Sequence, residues 1–272
     1  MINSNIKPPA RERSRRQAGG GEPPPRFLVA PDSVRGEAVY VRGPEGHHAR
    51  RVLRLEKGDA FVAVDGRGAE YEAVVHIATA DGLVGRIVRT TRRSREPIAQ
   101  VTLAVPMLRP AKLAQLVAEA TALGARGFVL FECARAPKRE PSPLELAHLN
   151  AVAAAAMKQS LRSVLPAVTG PKTWGEVLQA AARFELAFIC RRQPAAEPLA
   201  ATLGPRKPQA LNFLVAVGPP GGFEPAEEED AAAVGLKPLD LGPRRLRTEQ
   251  AATTACTLIL HAMGDLGPAG PR

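Results

Sequence analysis

Aromatic residues are scarce in this sequence: Phe, Tyr and Trp together make up 4% of its 272 residues, with a single tryptophan. Alanine and leucine must therefore carry the apolar load, which favours helices packed on a sheet. Cysteine is scarcer still. Cys133, Cys190 and Cys256 lie far apart and form no C-x-x-C pair, which argues against a zinc site and suits free, mostly buried thiols in a reducing compartment. No metal is expected. Long apolar runs are also missing. The longest unbroken one, "AVAAAAM" from Ala151, is too short to cross a bilayer, and the N-terminus lacks the apolar core of a signal peptide. The expectation is a soluble, cytoplasmic protein with no membrane partner. Phosphate-loop patterns are absent too: there is no G-x-x-x-x-G-K-[ST], and the glycines near 218–222 do not make a G-x-G-x-x-G.

What is present in excess is positive charge. Lys and Arg number 37 against 27 Asp and Glu, a formal net charge of +10. Residues 1–25 carry five against two, residues 26–95 thirteen against nine, and the remainder nineteen against sixteen, so the surplus of +3, +4 and +3 is densest in the first third of the chain. A basic surplus of this kind suits an anionic partner such as nucleic acid, through phosphate neutralisation and counterion release.

The pattern along the chain predicts three parts. Residues 1–25 are rich in Pro, Gly, Arg and Ser with hardly an apolar side chain, and read as a disordered basic tail. Residues 26–95 hold short apolar runs, "EAVYV", "AFVAV", "YEAVVHIA" and "LVGRIV", with turns at Asp65-Gly66 and Asp81-Gly82, which predicts a small β-barrel. A single helical turn, "GHHARRVLRLEKGD", interrupts it, with Val52, Leu53 and Leu55 expected inward and Arg50, Arg51 and Arg54 outward. Residues 96–272 alternate strands with helices, the pattern of a parallel sheet covered on both faces, where ligands bind beyond the carboxyl ends of the strands. Ser142 to Glu145 and Thr173 to Glu176 read as capping boxes.

Two glycine-marked loops then stand out. "LVAVGPPGGFE" takes a buried strand into Gly218, Gly221 and Gly222, where a bare backbone can turn sharply and approach a ligand. "LGPRRLRTEQAA" follows the next strand, so both loops are expected to line one pocket. The acidic stretch "EPAEEED" behind the first loop disfavours a polyanion and suits a cationic or zwitterionic cofactor.

"AVGPPGGFEPAE" and "LGPRRLRTEQAA" resemble the two C-terminal motifs of the RsmE family, the 16S ribosomal RNA (uracil-N3)-methyltransferases of the SPOUT superfamily. "RFLV", "HHARRVLRLEKGD" and "VDGRGAEY" resemble that family's PUA-like RNA-binding domain, and "AMKQSLRSVLP" its central motif, so the resemblance covers nearly everything after residue 25. It implies an α/β fold with a trefoil-knotted, mostly parallel sheet, helices on both faces, and a PUA-like N-terminal β-barrel. It also implies a homodimer that uses S-adenosyl-L-methionine to methylate uridine N3 in 16S rRNA of the small ribosomal subunit. By the same resemblance, Cys190, Val217, Gly218, Gly221, Gly222, Leu241, Gly242, Leu246 and Arg247 hold the cofactor. Arg247, Glu249 and Arg162 are the implied catalytic residues, and Arg26, Arg54, Gln159 and Arg162 the implied RNA contacts. An arginine near O2 or O4 would favour the charge left on the ring when N3 loses its proton, with Glu249 orienting that arginine or accepting the proton. The chain departs from the family at Pro220, where a glutamate is usual, and at Ala122, where an acidic residue is common; the lost carboxylate either weakens cofactor orientation or subunit contact or is replaced by another glutamate such as Glu224. Pro220 motivates one alternative, an RNA-binding homologue with impaired catalysis; methylation of a different RNA is the other.

Overall fold

The structure is a computed structural model that describes residues 23–193, 197–204 and 211–267. The tail expectation falls outside these residues for all but its last three positions.

The first module is a six-stranded sheet of β1 (Arg26–Leu28), β2 (Val34–Arg35), β3 (Ala38–Val41), β4 (Ala60–Val64), β5 (Ala69–Ala78) and β6 (Leu83–Arg92), in the order β1-β4-β5-β6-β3-β2. All pairs are antiparallel except β1 with β4. Period-two alternation sends Val39 and Val41 inward, with Phe27, Phe61, Ala63 and Val75 in the same core. Among the described residues no ladder joins β1 to β2, so hydrogen bonds do not close the expected barrel.

The helical interruption also differs from expectation. Helix α1 (Gly43–His47) runs into a π-helical turn, His48–Val52, in which the Leu53 N–H reaches back five residues to the His48 carbonyl. The wider turn shifts the inward positions. Ala49 and Leu55 are buried, whereas Val52 and Leu53 stand 62% and 40% exposed. Arg50, expected to project freely, donates to the carbonyls of Thr79 and Leu55 and ties the turn to the sheet.

The second module follows the βα pattern: β7 (Gln100–Pro106), α2 (Pro110–Leu123), β8 (Gly127–Glu132), α3 (Pro143–Gln159), β9 (Ala167–Thr173), α4 (Trp174–Ala181), β10 (Leu186–Cys190), α5 (Leu199–Leu203), β11 (Asn212–Val217), α6 (Pro225–Ala233), β12 (Lys237–Leu239) and α7 (Thr248–Ala262). The sheet order is β12-β10-β11-β7-β8-β9, with every pair parallel. Alternate residues of β7, β8 and β11 feed two separate cores. Leu103, Val105 and Val215 meet α2, α3 and α7 on one face, and Ala104, Leu214 and Ala216 meet α4 and α6 on the other. Strand β9, which the apolar pattern does not reveal, is an edge strand interrupted by Pro171.

Caps set the helix starts. Thr173 and Glu176 form the reciprocal box ahead of α4. Ser142 accepts from the Glu145 N–H ahead of α3, but the Glu145 carboxylate is drawn instead into a two-pronged pair with Arg139, at 2.7 and 2.8 Å, so only half of that box exists.

The modules meet over the end of α3. Met157 is buried with Val62 and Val64 of β4, and Lys158 pairs with Glu45. Leu161 takes a left-handed conformation, φ 61°, and turns the chain so that Arg162 enters the interior.

Candidate functional site

The carboxyl ends of β10, β11 and β12 open onto a cavity of about 400 Å³, inside the roughly 300–1,000 Å³ typical of small-molecule sites. Cys190, Val217, Gly218, Gly221, Gly222, Leu241, Gly242 and Leu246 all line it; of the residues expected to hold a cofactor, only Arg247 is missing from its wall. The two glycine-marked loops do share one pocket.

Backbone conformation explains the residue types. Gly222 and Gly242 have φ of +74° and +93°, values that a side chain disfavours. At Gly218 a Cβ would sit 3.1 and 3.2 Å from the Phe223 ring and 3.3 Å from its backbone nitrogen. Phe223 is itself fixed, 5.0 Å from the Trp174 ring and stacked on Phe131 at 6.2 Å. Trp174 is thus a packing residue, and its indole N–H donates to the Glu227 carbonyl.

Polar contacts lock the loops together. The Thr248 hydroxyl donates to the Gly218 carbonyl at 3.0 Å, and Arg245 to the Pro220 carbonyl at 3.2 Å, joining the start of α7 to the β11 loop. Arg135 donates to the Gly221 and Phe223 carbonyls from the other side. Asp240 accepts from the backbone N–H of Gln193 and of Gly242 at 2.8 and 2.7 Å, which clamps the β10 loop to the β12 loop. Such a pre-set frame lowers the ordering cost of binding.

The lining charges are mixed. Glu228, paired with Arg191 at 2.9 Å, and Asp240 supply carboxylates, while Arg191, Arg192, Arg244 and Arg245 supply cations. Among the described residues the Arg191 Nε is buried without a hydrogen-bond partner, while the other two guanidinium nitrogens bond Glu228 and Gln193. Burial pushes the Cys190 thiol up to about 12, so it stays neutral and serves as wall. Bare backbone and opposite charges fit a zwitterionic ligand of moderate size. Pro220 also lines this cavity, and the carboxylates that line it are Glu228 and Asp240, whereas Glu224 faces Arg135 outside the wall at 3.7 Å.

Arg247 is the exposed N-cap of α7, between Leu246 and Thr248, which both line the cavity; its guanidinium forms no ion pair among the described residues. Glu249 does not face the cavity. It is buried and paired with Lys112 of α2 at 2.9 Å. Burial works to raise its pKa, yet the Lys112 ammonium, its own backbone N–H and Arg247 outweigh this and hold it below the usual carboxylate range. A carboxylate so stabilised is a weak proton acceptor, and its place suits it to positioning α7 beside α2. The unfolded chain binds more protons between the two pKa values, so this pair adds stability above the ordinary carboxylate range that is lost as pH falls through the lowered value. Glu249→Gln should accordingly shift the acid limb of a stability-versus-pH curve, with little change in that limb's position contradicting the pairing.

The expectation for Arg162 is corrected. It is 3% exposed, pairs with Glu96 at 2.7 Å and donates to the Thr121 and Ala125 carbonyls at 2.7 and 2.9 Å. Those carbonyls lie where α2 ends and β8 begins, at the amino edge of the sheet, about 20 Å from the carboxyl edge by strand length. A guanidinium there does not line the cavity, and its hydrogen bonds are taken up by the carboxylate and carbonyls around it. Gln159, exposed on the last turn of α3, shares that edge and also stands away from the cavity. Arg26 is corrected likewise: its side chain is 6% exposed, paired with Glu70 at 2.8 Å and bonded to the Arg162 carbonyl. Arg54 remains exposed, at a left-handed φ of 55° beside Val52 and Leu53. Sequence reasoning missed Arg135, Arg191, Glu228 and Asp240, whose roles depend on contacts across 37 residues or more or on sharing the cavity wall. Among the described residues no group of His, Cys, Asp or Glu is placed to hold a metal ion, and no helix is long and apolar enough to cross a membrane.

A parallel α/β domain with a backbone-lined cavity at its carboxyl edge, joined to a small basic sheet module, defines a two-part ligand-binding protein, and the comparisons say of which kind. A family described as an RNA methyltransferase domain matches residues 94–260, and one described as an RNA methyltransferase PUA domain matches residues 41–88. Ribosomal RNA small subunit methyltransferase E of Synechocystis sp. is 32% identical over 235 residues, covering 86% of this chain and 76% of that protein. Among solved structures, a probable rRNA-methyltransferase from Porphyromonas gingivalis aligns with a TM-score of 0.72 at 26% identity, covering 88% of this chain and 98% of that one. Ribosomal RNA small subunit methyltransferase E from Neisseria gonorrhoeae, solved bound to S-adenosyl methionine, shares the fold with a TM-score of 0.77 at 22% identity, over 90% and 100% of the two chains. This chain belongs to the RNA methyltransferase family, in its ribosomal RNA small subunit methyltransferase E branch.

Proposed function

We propose that this protein methylates N3 of a uridine in 16S rRNA of the small ribosomal subunit, using S-adenosyl-L-methionine, as a cytoplasmic homodimer with residues 26–95 and 96–272 as its RNA-binding and methyltransferase domains. The observation that carries the reading is the cavity itself, built from the bare loops after β10, β11 and β12. When bound, the cofactor supplies an electrophilic methyl group on a sulfonium. The backbone of Val217 to Gly222 and of Leu241 to Leu246 would hold it, with Glu228 and Asp240 opposite its positive groups and the lining arginines opposite its carboxylate. Arg247, at the mouth, would stabilise the charge that develops on the uracil ring as N3 loses its proton. Lys112 and Glu249 would hold the start of α7, and hence Arg247, in place. The partly exposed Leu258 on α7 supports a subunit contact along that helix.

Transfer of labelled methyl from S-adenosylmethionine to small-subunit rRNA, followed by nucleoside mass mapping, tests the reaction. N3-methyluridine is expected; a methyl group on another base or another RNA would overturn the assignment. Gly218→Val should weaken cofactor binding by at least about tenfold, since its side chain meets the fixed Phe223 ring. Calorimetric titration of the folded variant checks this, and an unchanged affinity would place the cofactor elsewhere. Arg54→Ala should weaken RNA binding and lower the salt slope by about one phosphate contact; a slope equal to the parent's would remove Arg54 from the interface.

A further inference from the structure

With the Arg26 side chain buried, Arg54 alone of the N-terminal module's expected RNA contacts stays exposed, and the module's outward sheet face offers further groups. We propose that the outer surface of β2, β3 and β6 binds an unpaired stretch of RNA, with Tyr40 as a stacking platform and Arg35, Arg42 and Arg86 as its phosphate contacts. This rests on the reading of the protein as an RNA methyltransferase and names the kind of RNA that the first module takes.

Strand alternation places Tyr40 outward, because its neighbours Val39 and Val41 are fully buried. The Arg42 guanidinium carbon lies 4.7 Å from the Tyr40 ring centroid and that of Arg35 5.9 Å, both within cation–π range. Register completes the surface. Ala38 pairs with Arg35 on one side and Arg86 on the other, and since directly paired residues share a face, the smallest side chain of the row lies between two cations. One level along, Tyr40 pairs with Val84, and Val84 with Ile77, which is 49% exposed. An apolar strip headed by an aromatic ring thus runs beside a basic row.

The charges are uncompensated. Arg35, Arg42 and Arg86 form no ion pair among the described residues, whereas Glu72, the acid on the outward side of β5, is engaged by Arg89 at 3.5 Å. Glu37 and Asp81 flank the strip at strand ends. Unpaired arginines carry counterions that a phosphate chain releases. An aromatic ring with guanidinium groups about it accepts the face of a base, and base faces are open only in unpaired RNA. An acidic peptide would satisfy the arginines but leave the Tyr40–Val84–Ile77 strip without a matching planar group.

The test is fluorescence anisotropy of the full chain with a labelled unpaired oligoribonucleotide of about twelve nucleotides and with a perfect RNA duplex, across a salt series. Tyr40→Ala should weaken binding to the unpaired RNA by about five- to a hundredfold while affecting the duplex little. Tyr40→Phe, which keeps the ring, should stay within about twofold of the parent, so a loss in both variants overturns the stacking role. Arg86→Ala should reduce the salt slope by roughly 0.7, one phosphate contact on a single strand. Unchanged binding in Tyr40→Ala and Arg86→Ala, or displacement of the RNA by polyglutamate at equal charge, would overturn the proposal. Titration with S-adenosylmethionine separates the two claims. Variants that bind cofactor normally and RNA like the parent sink this surface alone; a parent chain that binds RNA through Tyr40 but no cofactor sinks the methyltransferase reading instead.

Discussion

Replacing Arg247 by alanine is expected to reduce methyl transfer by about 10²–10³-fold while leaving the melting temperature within a degree or two of the parent. The physical argument is one of charge placement. Among the described residues the guanidinium makes no ion pair, so its removal costs the fold little, as is usual for an exposed side chain. It stands on the N-cap of α7, between two residues of the cavity wall, in a loop held by the Thr248–Gly218 and Arg245–Pro220 contacts. A cation carried at the edge of a site partly shielded from water stabilises a developing anion more than one in bulk solvent, and loss of one such donor typically costs two to three powers of ten. Because the charge exists only as the reaction proceeds, kcat should fall much more than cofactor affinity. Single-turnover kinetics with saturating cofactor checks this. A variant with normal kcat would remove Arg247 from the reaction, and one that unfolds would make it structural.

Glu96→Ala is expected to destabilise the protein by about 3–5 kcal/mol, the usual cost of leaving half of a buried ion pair behind. Glu96 serves more than Arg162: its other oxygen accepts the backbone N–H groups of Ser163 and Val164 at 2.8 and 2.9 Å, so alanine would orphan a guanidinium and two amides together. The position gives the loss its reach. Glu96 closes the connector between the two sheets, and Arg162 meets the end of α2, where a cation also complements the helix dipole. Urea denaturation followed by far-UV circular dichroism would measure the effect. Replacing Glu96 and Arg162 together by apolar residues of similar volume should recover much of the stability, as buried pairs often allow. If the single variant lost less than about 1 kcal/mol, the junction would not be carried by this pair.

The two corrected arginines also show what a sequence can hold. Gly218, Gly221, Gly222 and Gly242 were legible because a positive φ or a close approach leaves few residue types available, and that restriction is written at the position itself. Alternating apolar segments gave the parallel sheet for the same reason, since each strand and helix carries its own period. Arg26 and Arg162 fail on the opposite ground. Their partners are 44 and 66 positions away, and nothing local separates an arginine that will find a buried carboxylate from one that will meet a phosphate. Val52 and Leu53 were misplaced because a helical period of 3.6 was applied to a π-helical turn, which carries the following side chains to another face. Strand β9 stayed hidden because Gly170 and Pro171 break its pattern at an edge where no second neighbour demands regular hydrogen bonding. The loop clamps made by Asp240 and Arg135 depend on tertiary contact and left no mark at all.

The account depends on the turns after β10, β11 and β12 forming a berth for S-adenosylmethionine. Isothermal titration of the folded full-length protein with that compound measures this most directly. A single-site heat that disappears in Gly218→Val is the predicted result. A flat titration with protein shown to be folded would contradict it.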